Sequence, residues 1–320
     1  SGGFGVDLFF VVSAFSLTRS TLARAAGGEA VGVAFLVRRV ARIGPAFWLA
    51  AFGYTAWFGM GPRLFAPSGI TGLDIGLTAL MLHVWWPNAL NSVVPGGWSI
   101  GCEMMFYLLL PAVLGVASRF GRGMALLPLG LMLAQLGGWA LGGAAPQPFG
   151  FIAQLPVFVI GILACRATQA PGFARIRRLP RRLVAGAAVL VFAVMVAALP
   201  QATSRLAQNT VAFALLAGLL CLLLHAAPAR LLVNRVTVAL GRVSYSMYLV
   251  HFVLLAPLFA AARWLVGAGA GDDSGLLAVY FALVAGAAFL VATVTFRLVE
   301  QPGMAVGRRL AEAAPRLVTN

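Results

Sequence analysis

Residues 98–117 read WSIGCEMMFYLLLPAVLGVA, a run in which one position alone, Glu103, carries a charge. A helix rises 1.5 Å per residue, so this stretch reaches ~30 Å, the thickness of a bilayer's hydrocarbon core. Pro95-Gly96-Gly97 punctuates its start. The run therefore reads as a membrane-spanning helix, and the rest of the chain has to be consistent with lipid as its solvent.

It is. Of 320 residues, 61 % are hydrophobic and 10 % charged, with a mean hydropathy of +0.95, well beyond the apolar share of an ordinary soluble domain. Eight further apolar runs, bounded by Arg, Gly or Pro, lie at 4–18, 44–60, 123–141, 149–165, 183–200, 207–225, 243–266 and 276–297. The expected fold is all-α, a polytopic transmembrane helical bundle of about nine spans. A tenth run, 73–87, is short and ends in Trp85, Trp86 and Pro87. Its aromatics suit the headgroup zone, so it is expected to be interfacial or re-entrant. No internal repeat or soluble domain interrupts the pattern; residues 1–301 read as one membrane domain and 302–320 as a short cytoplasmic tail.

The net charge of +15 comes from 23 basic residues, all of them Arg. In a soluble protein that excess would point to nucleic acid. Here the arginines sit between apolar runs, as topology signals do, and no nucleic-acid partner is expected. Threading nine spans with Ser1 outside leaves only Arg63, Arg205 and Arg263 away from cytoplasmic connections. Counting 73–87 as a span would destroy that asymmetry. The expected location is the inner (cytoplasmic) membrane, crossed several times. Cys102, Cys165 and Cys221 lie singly in apolar stretches, so neither a disulfide framework nor a metal site is indicated.

Polar groups inside such a chain are informative, because an ionisable side chain at mid-bilayer costs ~2.5–3.5 kcal/mol on insertion scales. Glu103 shares a helix face with Tyr107, and is a candidate general base or orienter of a histidine. Ser244, Tyr248 and His251 follow i, i+4, i+7 spacing as one polar stripe, with His251 near the membrane middle. Arg39 and Arg42 lie on one face just before Pro45, which suits the first turn of a helix, and their geometry can grip a phosphate. His83 faces the same outer compartment as Glu103. Gly97-Trp98-Ser99-Ile100-Gly101 fits G-x-S-x-G, but its serine opens a membrane helix rather than a strand-to-helix elbow, so serine-hydrolase chemistry is not expected.

Five segments, taken in order, form a recognisable series: Gly5 to Ser13 (GVDLFFVVS), Arg39 to Pro45 (RVARIGP), Trp98 to Tyr107 (WSIGCEMMFY), Ser244 to His251 (SYSMYLVH) and Glu300-Gln301-Pro302. The series resembles the acyltransferase family 3 membrane proteins, which O-acylate extracytoplasmic acceptors. The resemblance implies a donor, acyl-CoA and commonly acetyl-CoA, used as substrate with no permanently bound cofactor. It also implies an acceptor hydroxyl on a cell-envelope polysaccharide or glycolipid. By motif, Arg39 and Arg42 would contact the donor's phosphates, and Glu103, Ser244, Tyr248 and His251 would line the site; Trp98, Ser99 and Tyr107 of the same segments, and His83 by its position, are further candidate lining residues. Glu300 would close the last helix. In the family a helix bearing an Arg and a His precedes the GVDLFF segment, at which this sequence begins. The expectation is that the chain lacks that helix and, without it, transfers no acyl group. A transporter and a non-catalytic membrane protein are the rival classes.

Overall fold

A computed structural model describes residues 2–27, 32–120, 149–198, 206–266 and 273–313. The span expected over 123–141 lies outside the described residues. The elements are α1 (Gly2–Ala26), α2 (Val33–Phe58), α3 (Gly72–Ala79), a 3₁₀ turn (His83–Trp85), α4 (Trp98–Phe120), α5 (Phe151–Ala167), α6 (Phe173–Arg178), α7 (Arg181–Ala198), α8 (Leu206–Ala226), α9 (Arg235–Val266), α10 (Asp273–Thr295), a π-helical turn (Phe296–Glu300) and α11 (Gln301–Ala313). Among the described residues the sole β feature is an isolated bridge between Arg63 and Ala66.

Helix dominates because an apolar solvent offers the backbone no hydrogen bonds, so each segment satisfies its own. Five stretches are long and apolar enough to cross a membrane: Phe4–Ala26, Trp98–Gly115, Arg181–Ala198, Arg235–Val266 and Ser274–Ala313. Phe151–Ala167 and Thr210–Ala226 are apolar but shorter. The all-helical fold is thus as expected, and five stretches among the described residues are candidate crossings. The 73–87 run is broken into the eight-residue α3 and the 3₁₀ turn. A capping box in which Thr71 and Asp74 satisfy each other's backbone opens α3.

One boundary differs in a way that bears on function. The helix expected to start at Pro45 starts at Val33, so Arg38, Arg39 and Arg42 lie inside α2 and Pro45 interrupts it. Proline lacks an N–H, so the Ala41 carbonyl is released from the helical ladder. Gly303 of α11 approaches that carbonyl so closely that a Cβ would lie 2.5 Å from it, and a Cβ on Gly307 would lie 2.5 Å from the Ala41 Cβ. The small-xxx-small pair lets two helices touch backbone to backbone.

The chain divides into two compact units. The first comprises the described residues within 1–32 and 101–234. Here α1 packs against α5 and α8, and α7 against α8. Phe158 stacks between Phe10, at 4.4 Å, and Phe106, at 4.3 Å. At Gly161 a Cβ would lie 2.5 Å from the Val11 carbonyl oxygen and 2.7 Å from the Ala14 Cβ. The second unit comprises the described residues within 33–100 and 235–315. Its longest helix, α9 with 32 residues, packs along α10. α2 is tied to α9 by two tyrosines: Tyr54 donates to the Leu249 carbonyl and Tyr245 to the Ile43 carbonyl, each at 2.8 Å. The segment after Glu300, expected as a tail, is the helix α11 packed on α2.

The α1–α5 contact yields a direct test. Gly161→Ala drives a methyl into backbone that cannot rotate away, and is expected to destabilise by about 1–3 kcal/mol. Gly186→Ala, where nothing lies within 4 Å, is expected to be neutral or stabilising. Thermal unfolding in detergent compares the two; equal effects would contradict the packing described.

Candidate functional site

In the second unit the polar contacts converge on the Gly96–Gly97 turn that precedes α4. Gly96 adopts φ +77°, a left-handed conformation, and a Cβ there would meet the Tyr248 hydroxyl at 2.7 Å and Phe252 at 2.8 Å. Its carbonyl accepts from the Tyr248 hydroxyl at 2.7 Å, and its N–H donates to Asn91 Oδ1 at 3.1 Å. Next along the chain, the Gly97 carbonyl accepts from His83 Nε2 at 2.8 Å. Ser99 Oγ donates to the Tyr248 hydroxyl at 3.0 Å. Trp98 is buried beside them. Four residues expected to line a site, His83, Trp98, Ser99 and Tyr248, are therefore gathered by one turn. Arg63 braces the approach, donating to the Ser92 carbonyl at 2.5 and 3.2 Å and to the Val93 carbonyl at 3.2 Å.

One helical turn beyond Tyr248, the Nδ1 of His251 donates to the Tyr248 carbonyl at 2.6 Å. A carbonyl can only accept, so Nδ1 is the donor in this contact and Nε2 is the ring nitrogen it leaves uncommitted to that carbonyl. The ring is half-buried and packs on Phe252, with centroids 4.1 Å apart. Ser244, the third member of the expected stripe, is exposed and donates to the Gly241 carbonyl of its own helix. Ser246, off that stripe, is fully buried and donates to Glu300 at the end of the π-helical turn. π turns inside longer helices recur at functional sites. Glu300 also feels the positive charge of Arg42. Arg39 lies over the Phe35 ring at 5.7 Å.

Glu103 belongs to the first unit. It is 2 % exposed, and one of its oxygens accepts from both the Ser13 hydroxyl, at 2.9 Å, and the Tyr107 hydroxyl. Tyr107 is the i+4 partner read from sequence. Ser13, 90 residues away, is not visible as a partner without the fold, although it closes the GVDLFFVVS segment. Ser246 and Asn91 were likewise missed; Ser246 is a polar residue in an apolar helix, the one signal that could have flagged it, and nothing local distinguishes Asn91. Among the described residues no group of three His, Cys, Asp or Glu side chains could hold a metal ion.

His83, outside the membrane-crossing helices, is 1 % exposed and stacks on Phe47 at 5.5 Å. Burial pushes its imidazole below the usual range, and this outweighs the Gly97 carbonyl, which favours the protonated ring. A histidine in the unfolded chain titrates near ~6.5, so as pH falls the unfolded state takes its proton first. The stability His83 contributes is full above that value and is lost below it, toward the lower folded value. Unfolding of wild type and His83→Gln, followed from about pH 8 to about pH 5, is expected to show their difference shrinking as pH falls; a constant difference would contradict a buried neutral ring.

Comparison with curated proteins and with solved structures returned no match. The model of the acyltransferase domain family, however, matches residues 1–297, nearly the whole chain and each of the segments whose side chains meet at the Gly96–Gly97 turn, at His251 and at Glu103. The chain belongs to acyltransferase family 3.

Proposed function

We propose that the protein takes an acyl group, acetyl in the simplest case, from acyl-CoA on the cytoplasmic side of the inner membrane. It delivers that group to a hydroxyl of an extracytoplasmic acceptor such as a cell-envelope polysaccharide. The family match supports acyl transfer, and the distribution of arginines supports the orientation. The observation that supports the chemistry is the contact of His251 Nδ1 with the Tyr248 carbonyl, which leaves Nε2 as the ring nitrogen available to take up a proton when the ring is neutral.

In this reading Nε2 accepts the proton of the acceptor hydroxyl as its oxygen attacks the thioester carbonyl carbon. The C–S bond breaks, the new ester C–O bond remains, and the proton leaves with the CoA thiol. The aromatic and glycine surroundings of Tyr248 hold the base in place. Arg39 and Arg42 are assigned to the donor's phosphates, which guanidinium groups grip bidentately. Glu103 is assigned to the reaction as a second ionisable group, kept in one geometry by Ser13 and Tyr107.

Two measurements on the full-length protein test these roles. In acetyl-CoA-dependent acetylation of envelope polysaccharide, His251→Gln is expected to lower kcat by about 10²-fold or more with little change in donor affinity. Arg39→Gln with Arg42→Gln is expected to weaken acetyl-CoA binding at least about tenfold, two charge-assisted contacts being lost. Unchanged turnover in the first variant would remove the base, and unchanged affinity in the second would remove the donor site.

A further inference from the structure

Arg63 is one of three arginines that the threaded spans leave away from the cytoplasmic side, so topology gives no reason for it. Its backbone is fixed: the Arg63 N–H donates to the Ala66 carbonyl at 2.9 Å and the Ala66 N–H returns the bond at 2.8 Å. The loop around this turn closes where the Ile70 N–H donates to the Met60 carbonyl at 2.8 Å. From that base the half-buried side chain spreads its fork over backbone carbonyls rather than a carboxylate. Besides Ser92 and Val93 it reaches the Tyr54 carbonyl at 3.4 Å, and it lies over the Phe58 ring at 5.8 Å. One planar guanidinium thus ties the end of α2 to the segment that enters α4.

Three routes lead from this turn to the neighbours of His251. The first runs through Tyr54, whose carbonyl Arg63 holds and whose hydroxyl donates to the Leu249 carbonyl at 2.8 Å. The second runs through Ser92 and Val93 to the Gly96–Gly97 turn just beyond them, where the Gly96 carbonyl accepts from the Tyr248 hydroxyl at 2.7 Å. The third runs through Phe65, inside the same turn, whose ring meets Phe252 edge to face at 6.1 Å. Phe252 packs on His251 at 4.1 Å, and the Tyr248 ring lies 5.5 Å from it on α9. One loop therefore holds the residues on both sides of the imidazole.

Part of this arrangement is ordinary satisfaction of buried backbone. Ser92 and Val93 are 0 % and 1 % exposed, and their carbonyls lie outside any helix, so they need donors. A water or a side-chain amide could supply those. The arginine adds a rigid join between two segments, since its donors are set in one plane and the bonds they give are charge-assisted. Each of the joined segments ends on α9 within one turn of His251.

We propose that Arg63 is a positioning residue for His251: by locking Tyr54 and the Gly96–Gly97 turn together, it holds the imidazole where the acceptor hydroxyl gives up its proton. The inference rests on His251 as the base. A general base has to lie within hydrogen-bond reach of the proton it takes, so a small displacement of the ring costs turnover and leaves donor binding alone.

Acetyl transfer by the full-length protein, at saturating acetyl-CoA and a temperature where every variant is folded, tests this. Arg63→Lys keeps the charge and loses the fork; Arg63→Gln loses both. Turnover is expected to fall at least about fivefold in the first and at least about tenfold in the second, with KM for acetyl-CoA changed less than about twofold. Where Arg63→Gln fails to fold, Phe65→Leu loosens the third route alone and is expected to lower kcat about twofold or more, again without a change in KM. Gly161→Ala, which strains the first unit, is the control for lost stability and is expected to keep kcat within about twofold. A double-mutant cycle then separates positioning from bracing. In a His251→Gln background Arg63→Lys is expected to lower kcat no further, because its effect passes through the imidazole; in an Arg39→Gln background its loss is expected in full. Equal losses in both backgrounds, unchanged kcat in the Arg63 and Phe65 variants, or a fall matched by Gly161→Ala would overturn the positioning role and leave the base standing. Turnover unaffected by His251→Gln would overturn the base and the positioning role together.

Discussion

A polar group kept inside an apolar chain gains most from hydrogen bonds within the protein, because lipid supplies none. This constraint makes the backbone helical and decides where the few interior side chains go. Glu103 is met by Ser13 and Tyr107, Glu300 by Ser246, and His251 by the carbonyl of Tyr248. Each pairing draws together residues that the chain separates or the helix stacks. The hydroxyls of Tyr54 and Tyr245 do the same for α2 and α9, spending their single donors on helix carbonyls.

Close approach follows from the same pressure. Without a hydrophobic drive between helices in lipid, contact depends on small residues that let backbones touch. Gly161 does this for α1 and α5, and Gly303 with Gly307 does it for α2 and α11. Pro45 adds a released carbonyl at the second contact, which places the α11 backbone beside the arginine-bearing turns of α2. The Gly96–Gly97 turn applies the idea to a loop: a glycine able to adopt φ +77° brings its carbonyl onto Tyr248, and His83 takes the next carbonyl along.

Local patterns were legible in the sequence. Helical periodicity placed Tyr107 beside Glu103 and set Tyr248 and His251 on one helix, and apolar runs announced the membrane. Features that depend on distant partners were not legible. Ser13 meets Glu103 across 90 positions, and nothing local marks Ser246 as the donor to Glu300. The start of α2 was misplaced because Pro45 reads as a helix opener, whereas the tertiary contact at Ala41 tolerates it in the interior. Of the expected crossings, five stretches among the described residues combine the necessary length with apolar composition.

The central claim is vectorial: the donor is used on the arginine-rich side and the acyl group emerges on the other. Reconstituting the full-length protein in sealed vesicles of one orientation, with labelled acetyl-CoA supplied to one side only and a polysaccharide acceptor to the opposite side, tests it most directly. The account predicts labelled acceptor when the donor faces the arginine-rich side and none when the two are exchanged. Transfer that is equal in both arrangements, or that requires donor and acceptor on the same side, would contradict it.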